Sequence, residues 1–145
     1  MVNSRDKGAR GEREAAAKLT EWTGFPWRRG ISQSRFGGSE GADVEPSEPD
    51  ELWSRFHVEV KRGKRIALAK AWEQATRDAQ SRALLPLVLY RADRQPWEVA
   101  TSVNVFAELL DLEGQYIVIE AGEELVRMHA EDFFCLLYTS DAADD

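Results

Sequence analysis

Residues 56–61, FHVEVK, alternate strictly between apolar and polar side chains. A period of two puts Phe56, Val58 and Val60 on one face of a strand and His57, Glu59 and Lys61 on the other. Arg62–Arg65 follows as a basic turn. Ala67–Ala83 then has the helical period, with Ala69, Trp72, Ala75 or Thr76, Ala79 and Ala83 on an apolar stripe. Lys70, Gln74, Arg77 and Ser81 form a second, polar stripe that could face phosphates. Pro86 ends that region, and Leu87–Tyr90 reads as a buried strand.

The flanking segments extend this pattern. Ser4–Thr23 is predicted to be a helix, capped by Ser4 or Asp6 and closed by Gly24 and Pro26. Trp27–Ile31 reads as a short strand and Ser32–Gly41 as a polar, glycine-rich loop. Ala42–Val44 is a short apolar–acid–apolar segment, and Glu45–Glu51 a solvated connection. Arg91–Pro96 is a turn into a returning strand, Trp97–Thr101. Asn104–Leu112 reads as a short helix, Tyr116–Glu120 as a strand, and Ala130–Phe134 as the start of a last helix. This order predicts an α/β fold, a mixed central sheet with helices on its faces.

The chain of 145 residues is one domain by length. No apolar run approaches the roughly 18–20 residues of a membrane span. The polar N-terminus does not read as a signal peptide, so a cytoplasmic location is expected. One Cys and two His exclude a disulfide framework and a Cys/His zinc cluster. The 26 Asp and Glu leave oxygen-ligand metals open.

The net charge of −7 is unevenly spread. Residues 1–38 carry +4, 39–58 carry −5, 59–95 carry +5 and 96–145 carry −11. Two basic blocks therefore flank a small acidic one, and a local basic surface can hold phosphates despite an acidic total. The end of the chain, CLLYTSDAADD, resembles translated read-through of a sequencing adapter. Residues 1–134 are therefore expected to form the single domain, with 135–145 outside the fold.

Four residues stand out by position. Glu12 shares a helical stripe with Gly8, Ala15, Ala16 and Leu19, where a carboxylate needs a partner. Glu14 and Glu21 point the opposite way. Glu59 and Lys61 project from one strand face about 6–7 Å apart. Asp43 precedes Glu59 by fifteen intervening residues, and an acid on a neighbouring strand can share a Mg²⁺ with it.

Asp43–x15–Glu59–x–Lys61 resembles the PD-(D/E)xK nuclease pattern, with Ala42 in place of the proline. Residues 7–14, KGARGERE, resemble the opening of archaeal-type Holliday junction resolvases, where a Lys-Gly-x-x-x-Glu-Arg-Glu helix supplies a catalytic glutamate. Arg28 and Arg29 followed by Ser32 and Ser34 are similar to that family's basic and serine-bearing segment. VEVKRGKR through YRADRQPW is similar to phage proteins of the same superfamily. The likeness spans roughly residues 4–112, with a longer Ser32–Gly41 loop and a longer 45–55 connection than compact archaeal resolvases have.

The resemblance implies a restriction-endonuclease-like core and a Mg²⁺-dependent endodeoxyribonuclease, with Mn²⁺ able to substitute. The implied catalytic set is Glu12, Asp43, Glu59 and Lys61. Glu12, Asp43, Glu59 and the Val60 carbonyl would hold one or two ions, and Lys61 would assist the attacking water. Arg10, Arg28, Arg29, Arg35, Lys64 and Lys70 are the expected phosphate contacts. Branched DNA is the implied substrate, a homodimer the implied assembly, and phage recombination or DNA processing in the host cytoplasm the setting. A same-fold nuclease acting on duplex or single-stranded DNA, and a non-catalytic DNA-binding module on a decayed nuclease fold, are the alternatives. His57 is expected to be exposed or to stand behind the ligands, and Gln74 to be a solvated helix residue. Trp22, Trp53, Trp72 and Trp97 are expected in or at the edge of the core. His129 receives no role.

Overall fold

The computed structural model describes residues 4–30, 41–105, 117–118 and 124–143. Helix α1 (Ser4–Thr23) leads into strands β1 (Trp27–Arg29) and β2 (Val44–Pro46). A 3-10 turn (Trp53–Arg55) precedes β3 (Phe56–Gly63). Helix α2 (Leu68–Gln80) connects β3 to β4 (Leu85–Ala92). Strands β5 (Glu98–Ser102), β6 (Ile117–Val118) and β7 (Glu124–His129) follow, and α3 (Ala130–Ala143) closes the described chain.

The strands form one sheet in the order β1-β2-β3-β4-β5-β7-β6. β3 and β4 run parallel, with Glu59 beside Val88 and Lys61 beside Tyr90, as the α2 crossover requires. The other described pairings are antiparallel. The sheet is therefore mixed and flanked by helices, the arrangement expected of a restriction-endonuclease-like core.

The period of two sorts the core into two layers. Phe56, Val58 and Val60 join Leu87, Leu89, Val99 and Val126 against Ala15, Ala16 and Leu19 of α1 and Phe133, Phe134 and Leu137 of α3. On the other face Val88, Tyr90, Ala100 and Leu125 pack against Ala71, Trp72 and Ala75 of α2. His57 and Glu59 belong to that second face, so α2 covers them: they are 0% and 2% exposed.

Several boundaries differ from the sequence reading. β3 runs on through the expected basic turn to Gly63. α2 ends at Gln80, and Ala83 adopts φ 55°, a left-handed turn that stops helical continuation. Pro86 lies inside β4 rather than before it, at a position beyond the rungs that β4 shares with β5. β2 takes in Glu45 and Pro46 from the expected connection. β7 was not anticipated. The expected Ser32–Gly41 loop lies outside the described residues up to residue 40, as do most of Asn104–Leu112 and all of Tyr116–Glu120 except Ile117 and Val118. α3 continues past residue 134 to Ala143, and Leu137, 2% exposed, packs into the core. Trp53, Trp72 and Trp97 are buried, and Trp22 stacks on Phe134 at 6.0 Å.

Candidate functional site

Asp43 is placed by backbone before its side chain acts. Its amide donates to Val58 O at 3.0 Å, and its carbonyl accepts from Gly30 at 2.9 Å. A Cβ on Gly30 would stand 2.0 Å from Ala42 O, so β1 approaches this segment only because residue 30 lacks one. Val44 fills the α1-side core, which turns Asp43 toward the opposite face. There Asp43 Oδ2 accepts a hydrogen bond from the Val60 amide at 2.8 Å. The Glu59 carboxyl lies close enough to Asp43 to raise its pKa by its charge and, less strongly, as a hydrogen-bonding partner. Two carboxyls can bond in this way only when one carries a proton. Burial, then the charges of Glu59 and Glu12, push the Asp43 pKa up to about 8, against a lowering by the Val60 amide.

Glu59 sits at the centre of β3. Its Oε1 is 3.8 Å from Lys61 Nζ, and its Oε2 is 3.3 Å from His57 Nε2. The Lys61 amine, partly exposed, also donates to Gln74 Oε1 of α2 at 3.4 Å. Gln74 thus contacts the lysine rather than solvent alone. His57 is fully buried.

Glu12 reaches the same region from α1, close enough for its charge to act on Asp43. Its Oε2 accepts from Arg29 Nε at 2.8 Å. Close approach of α1 to β3 depends on Gly11, where a Cβ would meet Arg62 Cβ at 2.8 Å. Glu14, expected to point away, instead forms ion pairs with Arg91 and Arg62 and accepts from Trp97 Nε1 at 3.2 Å. A helix lying across a sheet meets it along both flanks of its inner stripe, so positions 200° apart can both find partners.

The structure thus brings Glu12, Asp43, Glu59 and Lys61 into one region, with Val60 bonded to Asp43. The expected phosphate contacts differ in their surroundings. Arg10, Lys64 and Lys70 are exposed. Arg28 is half-exposed and 3.4 Å from Glu45 Oε1, and Arg29 is engaged by Glu12. Arg35 lies outside the described residues. A cleft of about 300 Å³ opens beside Lys61, lined by Arg62, Arg65, Lys70 and Gln74. Its arginines come from the segment whose sequence reads as a basic turn. Asp78 of α2, buried near His57 and Glu59, was missed altogether. Like Glu12, Asp78 is a carboxylate on an apolar helical stripe, which it shares with Ala71 and Ala75.

Residues 3–142 match the model of the family described as phage putative PDDEXK endonuclease. The chain belongs to this family. It is 30% identical over 113 residues to Protein D14 of Escherichia phage T5, an alignment covering 68% of this chain and 71% of that protein. The structure also resembles Hjc, a Holliday junction resolvase of Archaeoglobus fulgidus, at 19% identity and a TM-score of 0.48, over 96% of this chain and 97% of that one. Among the described residues, no helix is long and apolar enough to cross a membrane.

Proposed function

We propose that this member of the PDDEXK endonuclease family is a divalent-metal-dependent DNA endonuclease that hydrolyses phosphodiester bonds. The observation that carries the reading is the meeting of the Asp43 and Glu59 carboxyls, with the Lys61 amine 3.8 Å from Glu59. The acids fit a hard cation: they are buried, mutually repelling, and one retains a proton that an ion would replace. Glu12, Asp43, Glu59 and the Val60 carbonyl would hold Mg²⁺, or Mn²⁺ in its place. When bound, such an ion supplies Lewis acidity and a more acidic water.

The chain's own groups do the rest. The Lys61 ammonium, held by Gln74 and Glu59, stands at the mouth of the basic cleft. There it can orient the attacking water or offset charge on the phosphorane. Water oxygen bonds to phosphorus as the bond to the 3′ oxygen breaks, leaving a 5′-phosphate and a 3′-hydroxyl that takes up a proton. The exposed Arg10, Arg28, Lys64 and Lys70 would bear the flanking phosphates, together with Arg29 and Arg35. Branched DNA is the proposed substrate, on the likeness of KGARGERE to the resolvase helix, in phage recombination or DNA processing in the host cytoplasm. Symmetric nicking of a junction requires two sites, hence a homodimer.

The test is a nicking assay on four-way junction, flap, duplex and single-stranded DNA, in Mg²⁺ and in EDTA. Asp43→Asn, Glu59→Gln and Lys61→Ala should each lower cutting at least about 10²-fold while DNA binding in Ca²⁺ persists. Glu21→Gln, an exposed residue paired with Lys18, is the control. Equal cutting of duplex and junction would replace the branched substrate by a general one. Binding without cutting in any metal would leave a DNA-binding module.

A further inference from the structure

Beneath α2, behind the acids assigned above, a second donor set converges. His57, Glu59 and Asp78 each offer a ligand atom, and these atoms all lie within 4.8 Å of one another. All three are at least nine-tenths buried, at 0%, 2% and 8% exposure. Among the described residues, His57 Nδ1 and Asp78 Oδ2 have no hydrogen-bond partner. Nor does Asp78 take part in an ion pair there. The Ser81 hydroxyl bonds the Asp78 backbone carbonyl and leaves its carboxylate untouched. Buried polar atoms without partners are rare, and a charged one is disfavoured further.

We infer that His57, Glu59 and Asp78 form a second divalent-cation site, for a first-row transition ion such as Zn²⁺ or Mn²⁺, with Glu59 shared between this site and the Asp43 side. The chemistry of the donors selects the ion. One imidazole nitrogen and two carboxylate oxygens suit transition ions, whereas Mg²⁺ and Ca²⁺ prefer all-oxygen shells. Two donors across an ion at about 2.2 Å each stand no more than about 4.4 Å apart. Three donors cannot all stand opposite one another, so on one ion most of them lie about 3–4 Å apart. From the 4.8 Å limit the group has to contract by roughly 1–2 Å, within the reach of side-chain rotation. Two carboxylates against one dication leave the pocket without net charge. A tight ion here would also fix the Glu59 side chain from behind. The inference goes beyond the cleavage reading, because neither His57 nor Asp78 is needed for that reading.

The chain has two histidines, and His129 is exposed. The ¹⁵N-labelled full chain carrying His129→Gln therefore reports on His57 alone. With Mg²⁺ in excess, stoichiometric Zn²⁺ should move one His57 ring nitrogen to its metal-bound shift, and Mg²⁺ alone should not. Asp43→Asn should keep that response. Asp78→Asn, which preserves shape, should weaken Zn²⁺ binding at least about tenfold. A His57 ring that ignores saturating Zn²⁺ overturns the site without recourse to any ligand variant. So does a response lost with Asp43→Asn and kept with Asp78→Asn, which would place the ion at the other acids. Failure of the nuclease reading shows separately, as absent cutting by protein whose His57 still responds.

Discussion

Arg29 Nε donates to Glu12 Oε2 at 2.8 Å, tying β1 to α1 beside the acids of the sheet. The pair is largely buried, with side-chain exposures of 28% and 13%. Removing the arginine leaves Glu12 without its partner in a region already rich in negative charge. Arg29→Ala should therefore destabilise the fold by about 1–3 kcal/mol, read by urea denaturation. It should at the same time tighten Mg²⁺ binding in a calorimetric titration, because a competing cation is gone. A purely phosphate-binding arginine would leave both measurements unchanged.

Glu14 joins Arg62, Arg91 and Trp97, side chains of β3, of β4 and of the residue leading into β5. Its role is to seat α1. With the side chain about a third exposed, solvent screens part of the attraction. Glu14→Gln should lower stability by about 1–2 kcal/mol while the folded fraction cuts DNA at the normal rate. Loss of cutting at full stability would mean that Glu14 belongs to the chemistry.

Asp43 makes metal-free stability depend on pH. Its folded pKa, about 8, lies above the ordinary 3.8, so between these values the folded chain holds more protons than the unfolded one. Stability therefore falls as pH rises through that window. In EDTA the Tm should decline from pH 5 to pH 8, and Asp43→Asn should flatten the decline. Mg²⁺ should restore stability at pH 8. At pH 7 its binding should release a proton, measurable as a dependence of the calorimetric heat on the buffer's ionisation enthalpy.

On the proposed reading, DNA lies along the cleft beside Lys61, and its affinity should depend on salt. Lys64 and Lys70 are exposed, and Lys70 lines the cleft with Arg62 and Arg65. Lys70→Ala should reduce the log–log slope of duplex affinity against salt by roughly 0.9. It should weaken binding to all sequences alike. An unchanged slope would place the DNA elsewhere.

What could be read in the sequence followed from short-range periodicity. The alternation in FHVEVK fixed the strand, its core face and the pairing of Glu59 with Lys61 on one side. Glu12 was visible because a carboxylate on an apolar stripe is costly. The same alternation left open how deep that face lies. A strand read alone gives its polar residues to water, yet α2 lies over His57 and Glu59. That covering layer arises from a β3–β4 pairing across more than twenty residues, which a local period does not encode. β7 was lost because Glu124, Arg127 and His129 break an apolar pattern that only its pairing with β5 completes. Glu14 was misplaced because its partners come from distant strands.

The bond from the Val60 amide to Asp43 Oδ2 closes the seam between β2 and β3, where Val44 and Val58 are the paired residues in register. One carboxylate oxygen thus serves as a rung of the sheet. An asparagine carbonyl could take over that rung, whereas alanine could not. A relative without the proposed cutting activity would have an open route through Asn at position 43, keeping the fold while losing the ionisable group. Relatives that kept the fold but not the chemistry should therefore show an amide there more often than a small apolar residue, and the change would read in a genome as a conservative one.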